Sequence, residues 1–197
     1  MKRIGIFGGS FNPVHAGHLM VASYLAGWTE LDEVWLMLSP QNPLKPLPGG
    51  ASDADREKML RLATDGSEKL RVCTDEFTMP RPSYTINTLR TLAERYPDYR
   101  FSLIIGADNW LIFDKWRESD RIIAEFGVMI YPRPDYPVDP ATLPDGIELT
   151  AAPVCSLSST FLREAIASGH SIEHMVPPLV SDYINTYQLY INHESQQ

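Results

Sequence analysis

Short apolar runs alternate with helix-like segments along most of this 197-residue chain. No other feature restricts the fold as much. A strand–helix–strand rhythm is met by a mostly parallel sheet with helices on both faces. Strand-like runs cover residues 3–7, 33–38, 70–77, 101–105 and 128–131, with a short last one at 147–150. The run at 33–38 is apolar enough for a strand buried on both faces. Between these runs, residues 18–28 repeat as a helix, with Val21, Leu25 and Trp28 on one face. Ser52 is placed to cap a helix through residue 64, with Asp53 and Asp55 in its first turn. Ser83 or Thr85 opens a helix that ends near Tyr96, and one or two helices cover 110–126. From Ser159 onward the pattern is helical, with a break at Pro177 and Pro178.

The expected fold is therefore α/β: a Rossmann-like, doubly wound, mostly parallel sheet. Its strand order would be 3-2-1-4-5 plus the short last strand, followed by a C-terminal helical segment. One domain spans 1–197, with sheet and helices over 1–155 and a helical part over 156–197 that completes the site. In such sheets ligands bind beyond the carboxyl ends of the strands, where the strand order reverses. That rule brings the loop after the first strand beside Gly106 and Asp108, which follow the fourth. The Pro- and Gly-rich stretch at 40–50 is a candidate lid.

Composition limits the partners. The net charge of −8 gives no general footprint for nucleic acid, so none is expected as a partner. An anionic ligand must then be held by local donors and a metal ion. Cys73 and Cys155 lie far apart, outside any metal-ligand spacing, and read as two thiols in a reducing compartment. No apolar run could span a bilayer. The expectation is a cytoplasmic protein without a membrane partner, and a homo-oligomer stays open.

Two motifs carry the chemistry. Gly8 and Gly9 end the first strand and let backbone N–H groups approach a phosphate closely. Ser10, Phe11, Asn12 and Pro13 follow, and then His15 and His18 flank Gly17 at the mouth of a helix. That spacing can set both imidazoles on one face, where the helix N-terminus adds positive potential. A zinc site is disfavoured, because no third ligand lies nearby, and no resident metal is expected. His170 and His174 read as a solvated helix end. In the second motif, hydroxyls at Ser158, Ser159 and Thr160 precede a helix, and one of them caps it. Arg163, one turn in, brings a planar fork of N–H donors to the same anion.

The stretch from Gly9 to His18 resembles the GxFxPxHxGH signature of the nucleotidyltransferases. Leu157 to Arg163 is similar to their ISSTxxR motif, with leucine in place of isoleucine. More narrowly, the chain resembles the bacterial nicotinate-nucleotide adenylyltransferases nearly end to end. Ser10-Phe11-Asn12 stands where that family often has Thr-Phe-Asp. The resemblance implies that His15, His18, Ser159, Thr160 and Arg163 grip ATP phosphates, with Gly8, Gly9, Ser10, Phe11, Gly17 and Ser158 around them. It implies that Gly106 and Asp108 meet the adenosine ribose, although Asp108 also reads as the N-cap of a helix near Trp110. Ser83, Tyr84 and Thr85 match a segment that receives the acceptor's carboxylate. Trp116 matches a residue that stacks on a pyridine ring, and its bland alternative is a core tryptophan. Lys45 matches a loop lysine, but Leu44 replaces the histidine usual before it.

The implied reaction is ATP plus nicotinate mononucleotide giving deamido-NAD and pyrophosphate, with Mg²⁺ brought in by ATP. No side-chain triad for covalent catalysis is apparent, so direct in-line attack is expected. The same chemistry on nicotinamide mononucleotide or phosphopantetheine stays open, as does a non-catalytic nucleotide sensor.

Overall fold

A computed structural model describes residues 1–40, 51–80 and 82–191. Six strands form one sheet: β1 (Lys2–Gly9), β2 (Glu33–Leu38), β3 (Leu70–Cys73), β4 (Tyr99–Gly106), β5 (Val128–Tyr131) and β6 (Ile147–Leu149). Their order is β3-β2-β1-β4-β5-β6, and every pairing is parallel. The expected order holds, and the sheet is wholly rather than mostly parallel. Among the described residues, seven helices accompany it: α1 (Ala16–Trp28), α2 (Asp53–Thr64), α3 (Thr85–Arg95), α4 (Ala107–Trp110), α5 (Ser119–Phe126), α6 (Ser159–Ala167) and α7 (Pro178–Thr186). Among the described residues, no helix is long and apolar enough to cross a membrane.

The pleat divides the strands between two faces. Ile4 and Ile6 pack with Ile86, Leu89 and Leu92 of α3 and Ile122 of α5. Phe7 points the other way and packs with Val21, Ala22 and Leu25 of α1. A third cluster joins Leu36 and Leu38 to Met59 and Leu60 of α2, Leu162 of α6 and Val180 and Ile184 of α7. The C-terminal helices therefore share a core with the middle of the sheet.

Ser52 caps α2 as expected, accepting a hydrogen bond from the Asp55 N–H at 3.1 Å. Other expectations need correction. α1 begins at Ala16, with His15 as its N-cap, rather than at residue 18. Val21 and Leu25 are buried, but Trp28 ends the helix 78% exposed and stacks on Tyr24. β3 stops at Cys73 instead of running to 77, because residues 75–78 coil into a 3₁₀ turn. That turn is held by the Thr78 hydroxyl on the Asp75 carbonyl, and it carries Glu76 inward to Ser39 and Thr88. α3 does open at Thr85, one of the two expected starts, with Tyr84 as its N-cap. His170 and His174 are exposed, but they lie in the connection between α6 and α7 rather than on a helix.

Candidate active site

The first and fourth strands are neighbours, and the loops beyond their carboxyl ends meet as the topology rule requires. β1 runs into the loop 10–15, which the rest of the fold grips from several sides. The Ser10 carbonyl accepts from Arg56 Nη1 at 2.6 Å, and Arg56 is only 1% exposed. Phe11 adopts φ +44°, a left-handed conformation that costs a bulky residue on the order of 1–3 kcal/mol. Its ring is buried against Phe7 and His18, and this burial offsets the strain.

The C-terminal part closes the same loop. The Asn12 carbonyl accepts from Arg163 Nη1 at 2.7 Å, and the Asn12 side-chain oxygen accepts from the Tyr190 hydroxyl at 2.6 Å. The Pro13 carbonyl accepts from the Ser159 hydroxyl at 2.8 Å. Ala16 at the start of α1 donates its N–H to the Met175 carbonyl at 2.9 Å. The two sequence motifs thus form one structure. Ser158 is the N-cap of α6, accepting from the Phe161 N–H at 3.1 Å. Thr160 accepts from Arg163 Nη2 at 3.2 Å. The Ser159 hydroxyl is engaged here. A guanidinium has five N–H donors, so Arg163 keeps donors for an anion.

His15 and His18 stack with ring centroids 3.7 Å apart. The His15 N–H donates to His18 Nδ1 at 3.3 Å, which places the His18 proton on Nε2 in the neutral ring. Both rings resist protonation. Burial, helped by the positive charge of Arg133, lowers the His15 pKa to about 4. Burial, then His15 and then Arg133, hold His18 well below its usual range. Neutral imidazoles are N–H donors rather than acids, and an approaching polyanion would offset the field of Arg133. Gly17 between them is buried, and a Cβ there would stand 3.1 Å from His15 Nδ1 and 3.2 Å from Cys155 Sγ. Glycine at this position lets the His15 ring and Cys155 pack closely against the start of α1. Gly8 is exposed, and a Cβ on it would meet nothing within 4 Å.

Arg133 was not singled out from the sequence, although it follows β5 at the same edge of the sheet as His15 and Asp108. Applying the topology rule to the fifth strand would have found it. Its Nε faces Asp108 Oδ1 at 3.6 Å, beyond hydrogen-bond reach. Both atoms, and His15 Nδ1, are buried without a hydrogen-bond partner among the described residues. Such groups are costly unless a ligand or water completes them. A narrow cleft lined by His15, His18, Tyr131, Arg133 and Cys155 opens here. Burial pushes the Tyr131 hydroxyl up to about 12, with Arg133 opposing and Asp108 adding to the shift. A larger hollow of about 510 Å³ runs along β3, beside Arg61, Arg71 and Asp75, and includes no residue expected at the site.

Asp108 is not an N-cap. α4 starts at Ala107 with Gly106 as its cap, so Asp108 sits in the first turn. A Cβ on Gly106 would lie 2.3 Å from Asp108 Oδ1 and 3.0 Å from the Tyr131 ring, so only glycine leaves room for the carboxylate. The acceptor candidates form a second group. Tyr84 and Trp116 are half-buried against the same core cluster, and Arg117 lies over the Tyr84 ring at 4.7 Å. Ser83 and Thr85 flank Tyr84 at the start of α3. Trp116 packs on Phe113 with centroids 5.3 Å apart, so part of the ring serves the core while the rest stays open. Lys45 and the stretch 41–50 lie outside the described residues. Both cysteines are free thiols, Cys73 buried and Cys155 half-buried.

Residues 6–165 match the family model described as cytidylyltransferase-like. A protein of Bacteroides fragilis (strain YCH46), named "Probable nicotinate-nucleotide adenylyltransferase", is 47% identical over 178 residues, covering 90% of this chain and 89% of the relative. A protein of Bacteroides thetaiotaomicron with the same name is 47% identical over 185 residues, covering 94% and 92%. Among solved structures, Plasmodium falciparum nicotinic acid mononucleotide adenylyltransferase complexed with NaAD superposes with a TM-score of 0.79. It is 23% identical, covers 96% of this chain and 98% of its own, and supports the fold.

Proposed function

The chain belongs to the cytidylyltransferase-like family, among its nicotinate-nucleotide adenylyltransferases, and on that ground we propose that it joins ATP and nicotinate mononucleotide into deamido-NAD with release of pyrophosphate. One observation carries the site assignment. Arg163 and Ser159 of one motif reach the Asn12 and Pro13 carbonyls of the other, beside the stacked pair His15 and His18. A donor-lined pocket of this kind suits a triphosphate better than a neutral ligand.

The acceptor's phosphate oxygen attacks the α-phosphorus of ATP in line, and pyrophosphate leaves. That nucleophile is already an anion, so no side chain has to remove a proton. The protein aligns the two substrates and stabilises charge. In this reading His15, His18 and Arg163 meet the phosphates, with Ser158, Ser159, Thr160 and the loop from Gly8 to Phe11 around them. Arg133 adds a positive charge from β5. ATP enters as its Mg²⁺ complex, and the ion leaves with pyrophosphate as part of the substrate. Asp108 beside Gly106 accepts from the adenosine ribose. The start of α3, at Ser83, Tyr84 and Thr85, receives the nicotinate carboxylate, and Trp116 stacks on the pyridine ring. The family resemblance adds Lys45 as a further phosphate contact. We read the chain as one domain whose part 156–197 completes the ATP site, acting on soluble metabolites in the cytoplasm.

The test compares kcat/KM for nicotinate and nicotinamide mononucleotides with ATP and Mg²⁺, following pyrophosphate. A clear preference for the nicotinate acceptor is expected. Absence of pyrophosphate release with that acceptor overturns the reading, and a preference for the amide moves it to the neighbouring activity.

A further inference from the structure

Ser39, just past β2, joins three contacts. Its N–H donates to the Gly9 carbonyl at 3.0 Å. Its carbonyl accepts from Arg56 Nη1 at 3.1 Å, the same nitrogen that donates to the Ser10 carbonyl. Its hydroxyl donates to Glu76 Oε2 at 2.8 Å. The other oxygen, Glu76 Oε1, accepts from the Thr88 hydroxyl at 2.9 Å. Thr88 lies in the first turns of α3, where its N–H donates to the Tyr84 carbonyl at 3.1 Å. Arg56, Glu76 and Thr88 are all buried, at 1%, 7% and 2% exposure. A buried polar chain thus runs from the phosphate loop through Arg56, Ser39, Glu76 and Thr88 to the start of α3.

We propose that Glu76 is a positioning residue for adenylyl transfer: it clasps Ser39 and Thr88 and so holds the acceptor end of α3 in register with the phosphate loop. This rests on the reading of residues 83–85 as the acceptor site. Each carboxylate oxygen takes a hydroxyl from a different element. Trp35 and Met37 of β2 share a buried apolar cluster with Ile86, Leu89 and Leu92 of α3, and one rigid planar group adds to that packing a direction that apolar contacts lack. In-line attack needs the nucleophile within about 3–3.5 Å of phosphorus, and a misplacement of about 1 Å can cost on the order of 10²-fold. Glu76 acts through its neighbours, because both of its oxygens are occupied by protein hydroxyls.

The test uses the full chain with Glu76→Gln, Thr88→Val and the double variant. Gln keeps the shape but replaces one acceptor oxygen with a donor. Val keeps the branching of Thr and removes its hydroxyl. Each single change is expected to raise the KM for nicotinate mononucleotide about tenfold while the KM for ATP stays within about twofold. The double variant is expected to be no worse than the weaker single one, because both cut the same contact. A purely structural role would instead reduce the folded, active fraction and leave both KM values alone. Hydrogen exchange adds a readout without substrate. The Asn87 and Thr88 amides, both bonded to the Tyr84 carbonyl, should exchange faster in Glu76→Gln, with the amides of β1 and β4 unchanged. An unchanged acceptor KM, additive effects in the double variant, or unchanged exchange at Asn87 and Thr88 overturns the proposal. Should the wild type release no pyrophosphate, the functional reading falls, and the exchange result alone decides whether Glu76 holds α3.

Discussion

Acidification from about pH 7 to about pH 5 reads the electrostatics of the histidine pair directly. His15 is 3% exposed, and burial, with Arg133 second, holds its pKa near 4. The same imidazole in the unfolded chain titrates near 6.5. Between those values the unfolded state binds more protons than the folded one, so stability rises with pH across the window. The contribution is present above about pH 6.5 and is lost progressively as the pH falls toward about 4. Integration from pH 7 to pH 5 gives a loss of about 2 kcal/mol for His15 alone. His18, lowered for the same reasons, adds in the same direction. The assay is urea unfolding at both pH values for the wild type and His15→Asn. Titrations shared by both proteins cancel, so the wild type should lose about 2 kcal/mol more than the variant. Equal losses would refute the claim that burial keeps His15 neutral.

Replacing His18 or Arg163 with alanine should lower kcat by roughly 10²–10³, the usual cost of removing one preorganised donor. Turnover close to wild type in both variants would sink the phosphate-grip assignment. Tyr190→Phe removes the hydroxyl that satisfies the buried Asn12 oxygen, and unfolding in urea should show a loss of about 1–3 kcal/mol. A loss below about 0.5 kcal/mol would mean that water replaces the phenol there.

Much of the fold was legible in local pattern. The strand–helix alternation predicted the sheet order, and β5 was expected at 128–131, where it lies. The Ser52 cap was placed correctly because capping depends on residues three apart. Where the pattern misled, tertiary context was the reason. Trp28 has the right angular position, but as the last residue of the helix it lies beyond the buried Leu25 and Ala26 and stays exposed. The apolar Phe77 extended the expected β3, yet a 3₁₀ turn intervenes and delivers Glu76 to the core.

The candidate site divides the same way. Glycines before a helix, histidines three apart and an arginine one turn past a hydroxyl cap can be read from sequence, because each motif is assembled over a few adjacent residues. Arg133, Arg56 and Glu76 belong to no local motif. Their importance comes from contacts between distant parts of the chain, such as Arg56 with Ser10 and Glu76 with Ser39. The loop 10–15 is the plainest case. Its residue types could be read one by one, but its shape depends on Arg163 and Tyr190, 151 and 178 residues away. Local sequence sets the donors that a phosphate would meet. Long-range packing sets their directions, their charge states and the distance between the two half-sites, because burial and hydrogen-bond geometry exist only once the chain has closed on itself.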